Sequence, residues 1–327
     1  MSLLLNRDQI PQDPIDEHNR SVILNRDQIS QDLIDEHNRF STSGSRCIQF
    51  EIQAALIPDQ NKFEYQSPQE LARTVEGFVD SESAEEYSVY FHGISDAEIE
   101  VIESELRAFD MMSMVRFTFE KALDASILRI RPGEAHHMIA STFSREFAHK
   151  MASIPGHSKH SVTSCGATIF RIPGVRSKEG DQSFRPRTRR GAGKWPSVMV
   201  QVGYSREMNF LRLDAEWWLL HSEGRIRFVI LFRMERDPFA LHIECWMMAE
   251  TGYRQTRHTP DKVPRCVQEF DIDAAGDVTS TTKSTKLEIP YDAIFDVRDP
   301  DSPPPATTSF SFTELSGYAL RLFHDQA

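Results

Sequence analysis

Cysteine is scarce in this 327-residue chain: Cys47, Cys165, Cys245 and Cys266 stand far apart with no paired spacing. That excludes a disulfide framework and a cysteine-rich zinc module, and it fits a reducing compartment. Long apolar runs are missing as well. The longest clusters, "FVILF" at 228–232 and "WWLL" at 217–220, fall far below the ~20 residues of a membrane helix. The start, "MSLLLNRDQ", has a short apolar run with no basic residue before it, unlike a secretory signal. The expectation is an intracellular protein, of cytoplasm or nucleus, with no membrane partner. Positive charge is in deficit too. A formal net charge of -12 excludes coating nucleic acid through global charge, so any such contact needs a local basic patch. Phosphate-binding glycine loops, nucleophile elbows and dinucleotide fingerprints are all absent.

What is present begins with a tandem copy. "LNRDQIPQDPIDEHNR" at 5–20 returns as "LNRDQISQDLIDEHNR" at 24–39. Two copies are too few for a solenoid. They read as a duplicated interaction helix or as a duplication within a polar, disordered tail, assigned to residues 1–43.

From residue 46 the texture is globular. "CIQFEIQAAL" reads as a strand, whereas "SPQELARTVEGFV" and "SDAEIEVIESELRAF" open with serine caps and run with a helical period. Residues 44–111 are read as an N-terminal α/β extension, and 112–327 as the main domain with its core at about 130–255. Two strands, "MVRFTFEKA" and "ASILRIRP", lead into a long helix from Glu134, on which Phe143, Phe147, Met151 and Ile154 share a face. Three strands follow, "GATIFRIPG", "DQSFRP" and "SVMVQVGYS", then the helix "EMNFLRLDAEWWLLHSEG" and the strands "RIRFVILFRME" and "ALHIECWMMAE". The segment "LEIPYDAIFD", a proline-rich loop "DPDSPPPATTS" and a last helix, "FTELSGYALRLF", close the chain. This order predicts an α/β fold with a mixed central sheet flanked by helices.

Three clusters carry chemistry. Gln201 is a lone amide in the apolar run "VMVQVGYS"; a buried unpaired amide costs about 1–3 kcal/mol, so it has a packing partner or a task. The loop "RPRTRRGAGK" gathers Arg185, Arg187, Arg189, Arg190 and Lys194, read as a grip on phosphates or as a solvated loop. His149, His157, His160 and Cys165 offer ligands for zinc without the spacing of a familiar module.

"GDQSFRP" at 180–186, "WPSVMVQVGYS" at 195–205 and the tryptophan-rich acidic helix after them resemble the PD-(D/E)XK nuclease superfamily, in a fungal branch akin to restriction-endonuclease families. The resemblance covers roughly residues 130–296, where "LEIPYDAIF" matches the branch's tail. It implies an αβββαβ core, Mg²⁺ held by carboxylates, and phosphodiester hydrolysis. Asp181 falls at the motif Asp, Gln201 at the motif Glu and Gly203 at the motif Lys, and Glu146 on the long helix offers a third ligand. Gln201 keeps an oxygen but no charge, and Gly203 cannot polarise water. Some active relatives carry Gln at that place, and others move the Lys to the following helix, where this chain has Arg212, Asp214 and Glu216. Three functions follow: a nuclease with weak Mg²⁺-dependent activity, a catalytically dead module that binds DNA or RNA through the basic loop, and a protein-interaction scaffold with no nucleic-acid role.

Overall fold

The computed structural model describes residues 48–81, 86–130, 134–172, 175–190, 194–204, 208–250, 262–296 and 307–326, without the side chains of 134, 135, 204 and 326. The chain divides into two compact units, 1–43 and 44–327. The duplicated segment and Cys47 lie outside the described residues, all of which belong to the second unit.

Local chemistry sets the first elements. Helix α1 spans Ile48–Leu56. Strand β1 is Lys62–Glu64, and α2 is Pro68–Val79, where the Ser67 side chain accepts from Glu70 N at 3.2 Å and proline occupies the first turn. Strand β2 (Tyr87–His92) precedes a capping box in which Ser95 and Glu98 satisfy each other's backbone, and α3 (Ile99–Ala108) follows. Strands β3 (Val115–Glu120) and β4 (Ala125–Ile130) lead to α4 (Glu134–Ala152). Then come β5 (Val162–Ser164), β6 (Ile169–Ile172), β7 (Arg176–Glu179), β8 (Gln182–Pro186), β9 (Val198–Tyr204) and α5 (Met208–His221). Strands β10 (Phe228–Arg236), β11 (Phe239–Glu250), β12 (Lys262–Ile272), β13 (Val278–Thr279) and β14 (Lys286–Ile289), the short α6 (Tyr291–Ile294), β15 (Thr308–Ser311) and α7 (Phe312–Gln326) complete the unit.

The strands build a six-stranded sheet, β1-β2-β4-β3-β7-β6, a seven-stranded sheet, β13-β12-β11-β10-β9-β8-β5, and the pair β14-β15. Three apolar cores separate the layers. One packs α2 and α3 on the six-stranded sheet through Leu71, Ile99, Ile102, Phe117 and Leu128. Another lies between the two large sheets, where α1 and α5 bury Phe50, Met199, Trp217, Trp218 and Leu231. The third packs α4, α7 and the β14-β15 pair on the far face of the seven-stranded sheet through Phe143, Phe147, Val200, Phe232 and Tyr318. The fold is therefore α/β, with mixed sheets flanked by helices. Parallel strands β9 and β10 are joined across α5, which is buried at every residue from Leu213 to Leu219 because a sheet covers it on both sides. Among the described residues no helix is long and apolar enough to cross a membrane.

Three sequence expectations change. "CIQFEIQAAL" forms α1, not a strand. The alternation of Ile48, Phe50 and Ile52 mimics a strand, but Gln49, Phe50, Ile52 and Gln53 are the buried set, which is helical spacing. The strands of "GATIFRIPG" and "DQSFRP" belong to different sheets; the strand beside β8 is β5, from "SVTSC", so the three strands after α4 do not line up as one run. Finally, a boundary at 111/112 would cut the six-stranded sheet, since β2 on one side of it pairs with β4 on the other.

Candidate functional site: a closed carboxylate pocket

Strands β8 and β9 pair antiparallel from Phe184↔Val198 to Gln182↔Val200. One residue before β8, the Asp181 side chain takes over where the ladder stops, and Val202 N donates to Asp181 Oδ2 at 2.7 Å. The preceding residue must be small: a Cβ on Gly180 would lie 2.3 Å from Met199 Sδ. Gln201 reaches the same carboxylate. With its amide oriented to satisfy both neighbours, Gln201 Nε2 donates to Asp181 Oδ2 at 2.9 Å and its Oε1 accepts from Trp218 Nε1 at 2.7 Å. The two motif residues thus converge, and the lone amide of the apolar strand has its partners.

Arg116 of β3 closes the pocket. Its Nε donates to Asp181 Oδ1 at 3.1 Å, and both side chains are buried, Asp181 completely. His136 at the start of α4 lies with Nε2 3.4 Å from Asp181 Oδ2 and 3.2 Å from the Val202 carbonyl. Among the described residues, Val202 N, Gln201 Nε2 and Arg116 Nε donate to this carboxylate, and the His136 ring nitrogen lies against it. Mg²⁺ needs oxygen ligands at about 2.0–2.1 Å in octahedral array, and here a guanidinium already neutralises the acid. The residues do not fit the ion that the resemblance implies, and no hydrolytic step is derived from it.

The remaining motif positions agree with that conclusion. A Cβ on Gly203 would stand 3.0 Å from Leu211 Cδ1, so α5 covers the place of the motif Lys. Glu146 is no third ligand. It pairs with Arg321 of α7 at 2.9 Å, ten residues along α4 from His136, or about 15 Å at 1.5 Å per residue.

A second charged cluster adjoins the first. Asp214 of α5 accepts from Lys178 Nζ at 2.6 Å, Arg129 Nη1 at 2.7 Å and Gln53 Nε2 at 2.7 Å. Burial alone would raise its carboxyl pKa, but Lys178 and Arg129 outweigh burial and lower it. Arg129 also pairs with Glu86 at 2.7 Å, and Arg116 lies directly across the strands from Arg129. Like charges so placed repel, and Asp181, Asp214 and Glu86 offset them. Nearby, burial pushes the Glu216 carboxyl up to about 7, against a weaker opposing hydrogen bond from Gln49. Arg116, Arg129 and Lys178 were not singled out from the sequence. The available signal was a cation inside each of three short strands that are buried throughout.

The basic loop does not adjoin this pocket. Asp181 opens β8 and the loop follows its other end, so six residues at ~3.3 Å put Arg187 roughly 20 Å away. Arg189 is an anchor: it forms a two-point pair with Asp296, Nε to Oδ2 at 2.7 Å and Nη2 to Oδ1 at 2.5 Å. Its Nη1 also donates to the carbonyls of Trp195, Pro196 and Arg225, each at 3.0 Å. Arg185 is half-buried and donates to Lys194 O at 3.4 Å. Arg187, Arg190 and Lys194 are exposed, and none forms a side-chain ion pair among the described residues.

Of the zinc candidates, His157 lies 3.1 Å from the Tyr291 hydroxyl and packs at a tilt against the Phe295 ring, while His160 is exposed. The one group of three or more metal-ligating side chains among the described residues is His242, Glu244 and Glu269. It too is held by nitrogen donors. Glu244 accepts from Arg212 Nη2 at 2.5 Å and Trp246 Nε1 at 2.7 Å, and His242 contacts Asp271 through Nδ1 at 2.6 Å and Glu244 through Nε2 at 3.2 Å. Burial alone would lower the His242 pKa, but the hydrogen bonds to Glu244 and Asp271 raise it. Burial pushes Glu244 the other way, yet His242 and Arg212 bring it down to about 2.

No protein-family model, curated protein or solved structure matches this chain.

Proposed function

We propose that this chain is a PD-(D/E)XK-like protein that has lost Mg²⁺-dependent hydrolysis and that binds DNA or RNA through its basic loop. One observation carries the binding half: Arg187, Arg190 and Lys194 are exposed cations without side-chain ion pairs, on a loop pinned by Arg189, in a chain of net charge -12. Cations in a strongly acidic protein are usually neutralised by nearby acids, and a pinned loop loses less entropy on gripping phosphate. The loss of hydrolysis is supported by the Arg116 guanidinium on Asp181. The free thiols of Cys165, Cys245 and Cys266 fit an intracellular setting, cytoplasm or nucleus.

The test is binding of single- and double-stranded DNA and RNA by fluorescence anisotropy over a salt series, with and without Mg²⁺ or Mn²⁺. The triple variant Arg187→Gln/Arg190→Gln/Lys194→Gln is expected to bind more weakly and to flatten the log-log salt dependence by roughly 2–3. If the unaltered chain shows no salt-dependent binding, the nucleic-acid reading falls and the interaction-scaffold reading replaces it. Cleavage by the unaltered chain that disappears in Asp181→Asn would restore the nuclease reading.

A further inference from the structure

A cleft of 310 Å³ lies between α3 and the β3-β7-β6 end of the six-stranded sheet, at the small end of the ligand-pocket range. Its floor is fixed by register. Ser177 of β7 stands directly opposite Phe119 of β3 on one side and Arg171 of β6 on the other. Side chains directly across neighbouring strands share a face. That face is the one under α3, because Phe119 packs there with Ile99 and Ile102. Two ion pairs tie the helix end of the cleft to the sheet: Asp96 to Lys121 at 3.3 Å and Glu103 to Arg171 at 2.7 Å. Arg176 borders the cleft only through its strand position, since its Nε pairs with Glu120 Oε2 at 3.2 Å and its Nη1 lies against His221 of α5 on the opposite face.

Three groups in this cleft have capacity to spare. The Ser177 hydroxyl is buried, with its residue 4% exposed, and has no hydrogen-bond partner among the described residues. A buried hydroxyl left unpaired is destabilising, so a ligand atom that pairs it is favoured. Arg171 spends Nη2 on Glu103 and is otherwise half-exposed. Glu100 lines the opposite wall and carries no ion pair among the described residues.

We infer that this cleft binds a small zwitterion of the α-amino-acid type. Its carboxylate meets the remaining N–H groups of Arg171 and the Ser177 hydroxyl, and its ammonium meets Glu100. The balance of charge selects this class. A phosphate or dicarboxylate would face Asp96, Glu100 and Glu103 with only one half-committed guanidinium to offset them. A plain cation would leave the buried hydroxyl and Arg171 unused. The inference is independent of the nucleic-acid reading, since the cleft lies on the other large sheet from the basic loop.

Calorimetric titration of the full chain with L-leucine tests it, with L-leucinamide and N-acetyl-L-leucine as probes lacking one charge each. Leucine is expected to bind saturably, and each capped analogue about tenfold or more weakly. Ser177→Ala removes a hydroxyl that is unpartnered without ligand, so it is expected to weaken leucine binding about tenfold while leaving the urea midpoint unchanged or raising it. Glu100→Gln, on an exposed position, is expected to abolish the preference for leucine over its N-acetyl form. The inference is overturned if leucine gives no saturable heat up to about 10 mM, if the capped analogues bind equally well, or if both variants bind leucine as the unaltered chain does.

Discussion

Arg116 Nε lies 3.1 Å from Asp181 Oδ1, and the pair joins β3 of one large sheet to the β8–β9 hairpin of the other. A buried ion pair of this kind contributes little net stability compared with apolar residues, but losing one partner leaves an unpaired buried charge. Arg116→Met is therefore expected to cost about 3–5 kcal/mol in urea unfolding. Adding Asp181→Asn removes the orphaned charge while keeping an acceptor for Val202 N, so the double variant should be more stable than Arg116→Met alone. A double variant that is less stable would show that the pair is not what links these positions.

Gln201→Glu supplies the acid that the resembled motif has at this place, yet it sets a second carboxyl where an amide nitrogen now donates to Asp181 at 2.9 Å. Two adjacent carboxylates do not both ionise readily, so one keeps its proton with a raised pKa. Its contribution is present at low pH and lost as pH rises through that raised value. The variant is expected to be less stable than the unaltered chain at about pH 8 and closer to it at about pH 5. It should still show no Mg²⁺-dependent cleavage, because Arg116 continues to occupy Asp181.

Gly203→Lys supplies the motif lysine in name only. Its Cβ would sit 3.0 Å from Leu211 Cδ1, and overpacking of this kind costs about 1–3 kcal/mol. Leu211→Ala in the same chain makes room, so the double variant is expected to recover part of the loss from Gly203→Lys, measured against Leu211→Ala alone.

Glu216 gives stability a distinctive pH dependence. Its folded pKa is raised from 4.5 to about 7, so the folded state holds a proton that the unfolded state releases. This contribution is complete below about pH 4.5 and lost as pH rises to about 7, on the order of 3 kcal/mol in all. Glu216→Gln should remove the slope in that window and exceed the unaltered chain in stability above it, read by urea midpoints across pH.

His242 acts at the alkaline side. Its folded pKa is raised above 6.5, so its pairing with Asp271 and Glu244 is fully present below that value and lost as pH rises through the folded one. Imidazole proton shifts followed by NMR should titrate above the free-histidine range. His242→Gln should remove the matching fall in stability. Glu244, held at about 2, contributes with the opposite sign: its part is present above 4.5 and lost as pH falls toward 2.

Much of the fold was legible because its signals are local. Ser67 and Ser95 announce α2 and α3 through caps that the structure contains, and the stripe of Phe143, Phe147 and Met151 announces the buried face of α4. Strand β12 escaped notice because "KVPRCVQEFDI" is half-buried along most of its length and shows no clean alternation. The site was legible only in part. Asp181 and Gln201 meet because a hairpin brings them together, whereas Arg116 arrives from 65 residues away through the docking of two sheets, which no short-range pattern encodes. The basic loop stands apart from Asp181 for the converse reason. Arg185 follows Asp181 by four positions, and an extended strand turns that nearness in sequence into distance in space.

The backbone of Val202 is held on both of its polar groups by side chains from elsewhere: its N–H by Asp181, its carbonyl by Arg129 at 3.4 Å and His136 at 3.2 Å. The proton of this single amide can exchange only after Asp181 has swung away, and Asp181 is fastened to the opposing sheet. Its lifetime in heavy water is thus a clock for the parting of the two layers, and every substitution along their seam should be audible in its rate.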